Sequence, residues 1–176
     1  MSAIDIEALK ASIRDVPDFP KPGIVFKDIT PLLKDPALLR ASADLLAGLC
    51  AGLGAQRVVA IESRGFILGS LVADRLGVGF VPVRKPGKLP ARTVAVTYDL
   101  EYGTDRLEIH ADALAAGERA LIVDDVLATG GTAQATGELV AQLGASVCGY
   151  AFLIELSFLN GRARLPEDRL FSLIRF

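Results

Sequence analysis

Four consecutive apolar residues, Ala120-Leu121-Ile122-Val123, run directly into two carboxylates, Asp124-Asp125. An uninterrupted apolar run of this kind is the pattern of a strand buried on both faces, and parallel sheets are where such strands occur. After Val126-Leu127 come the small residues Ala128-Thr129-Gly130-Gly131-Thr132, and then helical spacing over 132–143. A second copy of the same logic lies upstream. Arg57-Val58-Val59-Ala60-Ile61 stops at Glu62-Ser63-Arg64-Gly65, helical spacing follows over 66–76, and another apolar run covers 78–83. With a further strand over 147–154, the alternation predicts an α/β fold with a mainly parallel central sheet flanked by helices. Ligands of such sheets bind at the carboxyl ends of the strands. Both turns are therefore expected at the mouth of one site.

Elsewhere the local signals are caps and breakers. Ser2 with Asp5 resembles a capping box, and Ile6, Leu9 and Ile13 share a helical face, which predicts a first helix ending before Pro17. The prolines of Asp18-Phe19-Pro20-Lys21-Pro22-Gly23 enforce extended or turn geometry. Asp35-Pro36 pairs an N-cap residue with proline at the first helical position and predicts a helix through Leu38, Leu39, Leu45, Leu46 and Leu49. The stretch 94–109 alternates and contains Gly103, which predicts an antiparallel hairpin.

Composition narrows the chemistry. The 176 residues fit one domain, and 51% hydrophobic against 23% charged residues is a globular balance. A net charge of −2 gives no general attraction to nucleic acid. Apolar stretches are interrupted by charge before reaching span length, so a soluble, cytoplasmic protein without a membrane anchor is expected. Cys50 and Cys148 have no Cys or His nearby, which argues for free thiols over zinc, and the single His110 excludes any histidine pair.

The chemistry concentrates in 124–132. Small residues let the backbone wrap a phosphate, and the following helix N-terminus adds positive potential. Two carboxylates beside a phosphate cradle call for something between them, and a ribose fits: its hydroxyls donate to Asp124 and Asp125 while its 5-phosphate sits in 128–132. Neither a Walker A loop nor a Gly-x-Gly-x-x-Gly fingerprint is present.

In this stretch the chain resembles the type I phosphoribosyltransferases, whose 5-phosphoribosyl diphosphate (PRPP) motif reads the same way. The resemblance extends over nearly the whole chain to the branch acting on adenine. It is carried by residues 18–31, by Glu62-Ser63-Arg64-Gly65-Phe66, by Arg84-Lys85-Pro86-Gly87-Lys88-Leu89-Pro90 and by Tyr98-Asp99-Leu100-Glu101-Tyr102-Gly103. Lys27 stands where that branch commonly has arginine.

The resemblance implies transfer of the 5-phosphoribosyl group from PRPP to adenine, giving AMP and diphosphate, with Mg2+ bound mainly through the substrate. It implies that Ser63, Arg64, Arg84 and Lys88 meet the diphosphate, and that Asp124, Asp125, Ala128, Thr129, Gly130, Gly131 and Thr132 hold the ribose 5-phosphate. Val25, Phe26, Lys27 and Leu127 would surround the base. Glu101 would handle the purine proton, and Tyr102 would close a hairpin lid over 94–109. It further implies an N-terminal helix and base-binding hood over 1–34, a core over 35–176, and a homodimer in which Lys88 reaches the neighbouring site. The residues alone also admit an enzyme for another base such as xanthine or hypoxanthine, a PRPP sensor without catalysis, or a structural α/β domain with no ligand.

Overall fold

The computed structural model describes residues 5–99 and 103–176. Ser2 lies outside them; Asp5 caps helix α1 (Ile6–Ala11), its carboxylate accepting from the Ala8 N–H at 2.8 Å. The helix is shorter than its apolar face suggests. Ser12 closes it by donating its hydroxyl to the Leu9 carbonyl, and the chain turns into strand β1 (Arg14–Pro17). β1 pairs antiparallel with β2 (Val25–Asp28), in a register that sets Arg14 opposite Asp28 and Asp15 opposite Lys27. Both cross-strand pairs are ion pairs, at 2.5 and 2.6 Å. Complementary charges in reversed order on either side of a Pro-Gly turn are the signal that a hairpin, not more helix, occupies 14–17.

Two helices follow: a short α2 (Thr30–Lys34), with no counterpart in the sequence reading, and α3 (Pro36–Cys50). Asp35 caps α3 as its sequence predicts, with Oδ1 accepting from the N–H groups of Ala37 and Leu38. The stretch Pro36–Leu53 has the length and hydropathy of a membrane span, but Arg40 and Asp44 interrupt it and Ser42, Ala43, Leu46, Ala47 and Cys50 are buried against the core.

The centre is a five-stranded sheet of β3 (Arg57–Ile61), β4 (Gly79–Val83), β7 (Arg119–Leu127), β8 (Ser146–Glu155) and β9 (Leu170–Arg175). The strands lie in the order β4-β3-β7-β8-β9, every pair parallel. β9 is an addition to the predicted set, carried by the apolar run Leu170-Phe171-Ser172-Leu173-Ile174. Helices α4 (Arg64–Leu76) and α5 (Gly131–Gln142) leave the sheet after β3 and β7. The antiparallel hairpin of β5 (Thr93–Asp99) and β6 (Thr104–His110) takes the predicted place.

Two apolar layers enclose the sheet. One joins Leu9, Leu32, Leu46, Leu68 and Val72 of the first four helices to Val58, Leu121 and Val123. The other joins Val96, Leu107 and Ile109 of the hairpin and Leu139 and Val140 of α5 to Val59, Ile61 and Ile122. From β3 the chain moves outward to β4, and from β7 it moves the other way to β8. The strand order therefore reverses between β3 and β7, and the crevice beyond their carboxyl ends is where an open α/β sheet receives its ligand.

Candidate active site

A cleft of about 450 Å³ lies at that reversal. β2 supplies Val25, Phe26 and Lys27 as one wall, and Ser63 and Arg64 bring the N-terminus of α4. Asp124, Asp125 and Val126 form the floor, Ala128 and Thr132 the phosphate-loop side, and Lys85, Tyr98, Asp105 and Leu107 the wall toward the hairpin. β7 extends through Leu127, so the two aspartates precede the strand's end instead of following it. They border the cleft, though largely buried, because β3 stops first: its pairing with β7 ends at Ala60 opposite Val123.

Gly65 sits where α4 crosses the aspartates. A Cβ built there would lie 2.6 Å from Asp124 Oδ1, so any side chain would have to displace that carboxylate. The helix N-terminus and its free N–H groups thereby come to the edge of the carboxylates. The Glu62–Ser63 peptide at this turn is cis.

The two floor carboxylates are electrostatically perturbed. Burial, and then the charge of Asp125, push the Asp124 carboxyl well above its ordinary range. Burial also pushes Asp125 up, opposed by Arg64. Asp125 is 5% exposed, and its Oδ2 lies 2.8 Å from Arg64 Nε yet has no well-aligned hydrogen bond. A buried acceptor with no aligned hydrogen bond suits a site whose partner arrives with the substrate. Arg64 also lies over the Phe26 ring, 4.8 Å from its centroid, and so bridges the two walls.

The phosphate loop divides among three spaces. Ala128 and Thr132 face the main cleft. Thr129 and Gly130 line a cavity of about 70 Å³ that Asp124, Ala128 and Thr132 border as well, so that it adjoins the main cleft. Gly131 borders a shallow groove with Thr97 and Tyr98. Gly130 has φ +82, a left-handed conformation suited to glycine. The small cavity holds about two waters' worth of space, the scale of a phosphate group.

Some expected residues are placed differently. Leu127, expected over the base, is 1% exposed and packs in the α5 layer; its neighbour Val126 faces the cleft. The basic run divides its labour. Arg84 donates from Nε to Glu62 Oε2 at 2.7 Å and from Nη1 to the Lys88 carbonyl at 3.2 Å, which organises the loop, while Lys85 lines the cleft. The Lys27 ammonium meets Asp15 and the Phe176 ring, which leaves the backbone of residue 27 as its element toward the base wall. Glu101 and Tyr102 lie outside the described residues.

The hairpin wall is the part the sequence reading missed. Lys85 Nζ pairs with Asp105 Oδ2, the Tyr98 hydroxyl lies 3.3 Å from both Asp105 Oδ2 and Thr132 Oγ1, and burial raises the Tyr98 pKa. Burial pushes Asp105 up, but Lys85 outweighs it and holds the carboxyl low. The strand period carries the signal: Tyr98 pairs with Asp105 in register, and Leu107 follows two residues later on the same face. Leu156 and Leu159 also line the cleft, from a segment with no local cue.

Known proteins show this architecture. The phosphoribosyl transferase domain family matches residues 28–173. The adenine phosphoribosyltransferase of a Synechococcus strain is 59% identical over 168 residues, covering 96% of this chain and 98% of that one. The crystal structure of adenine phosphoribosyltransferase from Thermoanaerobacter pseudethanolicus superposes with a TM-score of 0.95 at 54% identity, covering 97% of this chain and 99% of that chain. The Saccharomyces cerevisiae enzyme, solved with adenine and an imino-altritol bisphosphate, gives a TM-score of 0.89 at 44% identity, over 96% of this chain and 97% of that chain. With the cleft at the strand reversal, the aspartate pair on its floor and relatives matching both chains almost end to end, the chain belongs to the adenine phosphoribosyltransferases.

Proposed function

We infer that the chain transfers the 5-phosphoribosyl group of PRPP to adenine, releasing diphosphate and forming AMP. One observation carries this reading. Two carboxylates with raised pKa sit between a small-residue phosphate loop and a second helix N-terminus, opposite an aromatic wall. A ribose with phosphate on one side, diphosphate on the other and a planar base beyond it matches that order of groups.

In this reading the 5-phosphate accepts from the N–H groups of the 128–132 loop at the start of α5. The ribose hydroxyls donate to Asp124 and Asp125. The diphosphate meets the N-terminus of α4, the charges of Arg64 and Arg84, and a Lys88 supplied by the neighbouring subunit. Adenine stacks on Phe26, and the backbones of Val25 and Lys27 read its edge. Substrate takes over both contacts that Arg64 makes, with Asp125 and with Phe26, and frees that guanidinium for the diphosphate.

The C1–O bond to diphosphate then breaks as purine N9 bonds to C1. Positive charge grows on the ribose between two carboxylates held in a low-dielectric floor, where they stabilise it without reorganising. Glu101 handles the purine proton as a general acid–base group.

The donor set fits magnesium brought in on substrate oxygens. No group of three metal-binding side chains occurs among the described residues, and Asp124 and Asp125 are the floor carboxylates that would face the ion. When bound, magnesium neutralises charge on the leaving diphosphate.

We further read the molecule as a homodimer. Ile67 on α4 and Phe80 on the edge strand β4 are 40% and 37% exposed, and they lead to the 84–88 loop whose Lys88 would enter the neighbouring site. Two buried free thiols, Cys50 and Cys148, suit a reducing compartment such as the cytoplasm.

The test is PRPP-dependent nucleotide formation with adenine, hypoxanthine, guanine and xanthine. AMP formation should dominate; a preference for another base, or PRPP binding without turnover, would overturn the reading.

A further inference from the structure

Behind the phosphate loop, two stretches of backbone meet at closest approach. A Cβ built on Gly161 would lie 2.1 Å from the Ala128 carbonyl oxygen and 2.9 Å from the Gly130 nitrogen. One built on Gly130 would lie 2.5 Å from the Gly161 carbonyl oxygen. Neither position admits any side chain, so the 3₁₀ turn Gly161–Arg164 backs the loop with bare backbone. The turn is entered through Asn160 in the left-handed region, φ +52.

A buried ion pair holds that turn. Glu155, at the end of β8, is 5% exposed. Arg162, adjacent to Gly161, donates from Nε to Glu155 Oε1 at 2.9 Å and from Nη2 to Oε2 at 2.7 Å. The Ser172 hydroxyl donates to Oε2 at 2.5 Å, and Arg175 Nε lies 3.3 Å away. The Arg162 hydrogen bonds hold the Glu155 carboxyl below its ordinary range. Glu155 is also the register partner of Leu127, the last residue before the loop. Glu155 thus joins both sides of the backbone contact: its backbone pairs with the strand that feeds the loop, and its carboxylate holds the turn that backs it. Neither Glu155 nor Arg162 lines the cleft.

We propose that Glu155 and Arg162 are positioning residues for the 5-phosphate, acting through Gly161 as a backstop that holds the N–H groups of 128–132 in their cradle geometry. A planar two-bond guanidinium–carboxylate contact fixes direction as well as distance, which a single bond does not. The proposal rests on the reading of 128–132 as the 5-phosphate cradle.

Calorimetric titration with two probes separates it from a merely structural role. Ribose 5-phosphate uses the cradle; magnesium diphosphate uses the other end of the cleft. In a Glu155→Gln/Arg162→Met double variant, which leaves no uncompensated buried charge, ribose 5-phosphate affinity should fall about tenfold, the scale of one lost hydrogen bond to a charged group. Diphosphate affinity should stay as in the parent. Arg162→Lys keeps the charge but loses the fork and should fall between. If the double variant fails to fold, Arg162→Lys carries the same decision. Unchanged ribose 5-phosphate affinity in a folded variant, or parallel loss of both probes, overturns the proposal. Thr132→Ala serves as the control. If it leaves ribose 5-phosphate binding intact, the cradle reading falls and takes this proposal with it. If it weakens binding while the clamp variants do not, the clamp alone is wrong.

Discussion

Replacing Asp125 with asparagine separates the catalytic value of a buried carboxylate from its cost to the fold. Asn keeps the shape, so packing at a position 5% exposed is retained. What is lost in the free protein is an ion pair with Arg64, whose side chain is 35% exposed, so the loss is at most about 1 kcal/mol. What is gained is relief from burying a charge beside Asp124, and the upward shift of Asp125 says that this term is the larger. A carboxyl whose folded pKa is raised binds its proton more readily folded than unfolded. Its stabilising contribution is therefore complete below the ordinary 3.8 and is lost as pH rises through the raised folded value. The free Asp125→Asn variant should melt no lower than the parent at neutral pH, and its melting temperature should depend less on pH above 3.8. With substrate the balance reverses. A ribose hydroxyl on a carboxylate contributes about 1.5–3 kcal/mol, so kcat/KM for PRPP should fall about 10- to 150-fold. Differential scanning fluorimetry over pH and steady-state kinetics at saturating adenine measure the two halves. Parental kcat/KM in the folded variant would refute the ribose assignment, and a melting point lowered by several degrees would refute the stability argument.

Thr132→Ala should raise the Michaelis constant for PRPP more than that for adenine, because Thr132 faces the cleft at the start of α5; equal effects on both substrates would count against the cradle. Glu101→Gln should lower single-turnover AMP formation about 10²- to 10⁴-fold while PRPP affinity is kept, with Tyr102→Phe the milder change; an unchanged chemical step would remove Glu101 from the chemistry. Hydrogen bonds from Arg14 hold Asp28 down at about 2, so this pair stabilises the β1–β2 hairpin above the ordinary 3.8 and is lost as pH falls toward 2. Asp28→Asn should flatten the acid limb of melting temperature against pH in that window, and an unaltered limb would sink the assignment.

The parts legible from sequence were those governed by neighbours along the chain. The apolar runs at 57–61 and 120–123 marked doubly buried strands, Asp35-Pro36 marked the start of α3, and Gly103 marked the hairpin turn, because burial period, capping and turn geometry act over a few residues. The order of groups along 124–132 already implied a phosphate beside a ribose. Three-dimensional packing decided the rest. Strand order put the reversal between β3 and β7, and the early end of β3 opened Asp124 and Asp125 to the cleft. Pairing across the hairpin brought Tyr98 and Asp105 to Lys85 and Thr132. Val126 faces the cleft while Leu127 packs beneath it, and Arg84 turned to Glu62 while Lys85 faced inward, since such choices depend on partners far along the chain. Gly161 is the extreme case. Its need for glycine comes from a carbonyl 33 residues earlier, and such a requirement arises only once the chain has folded back on itself.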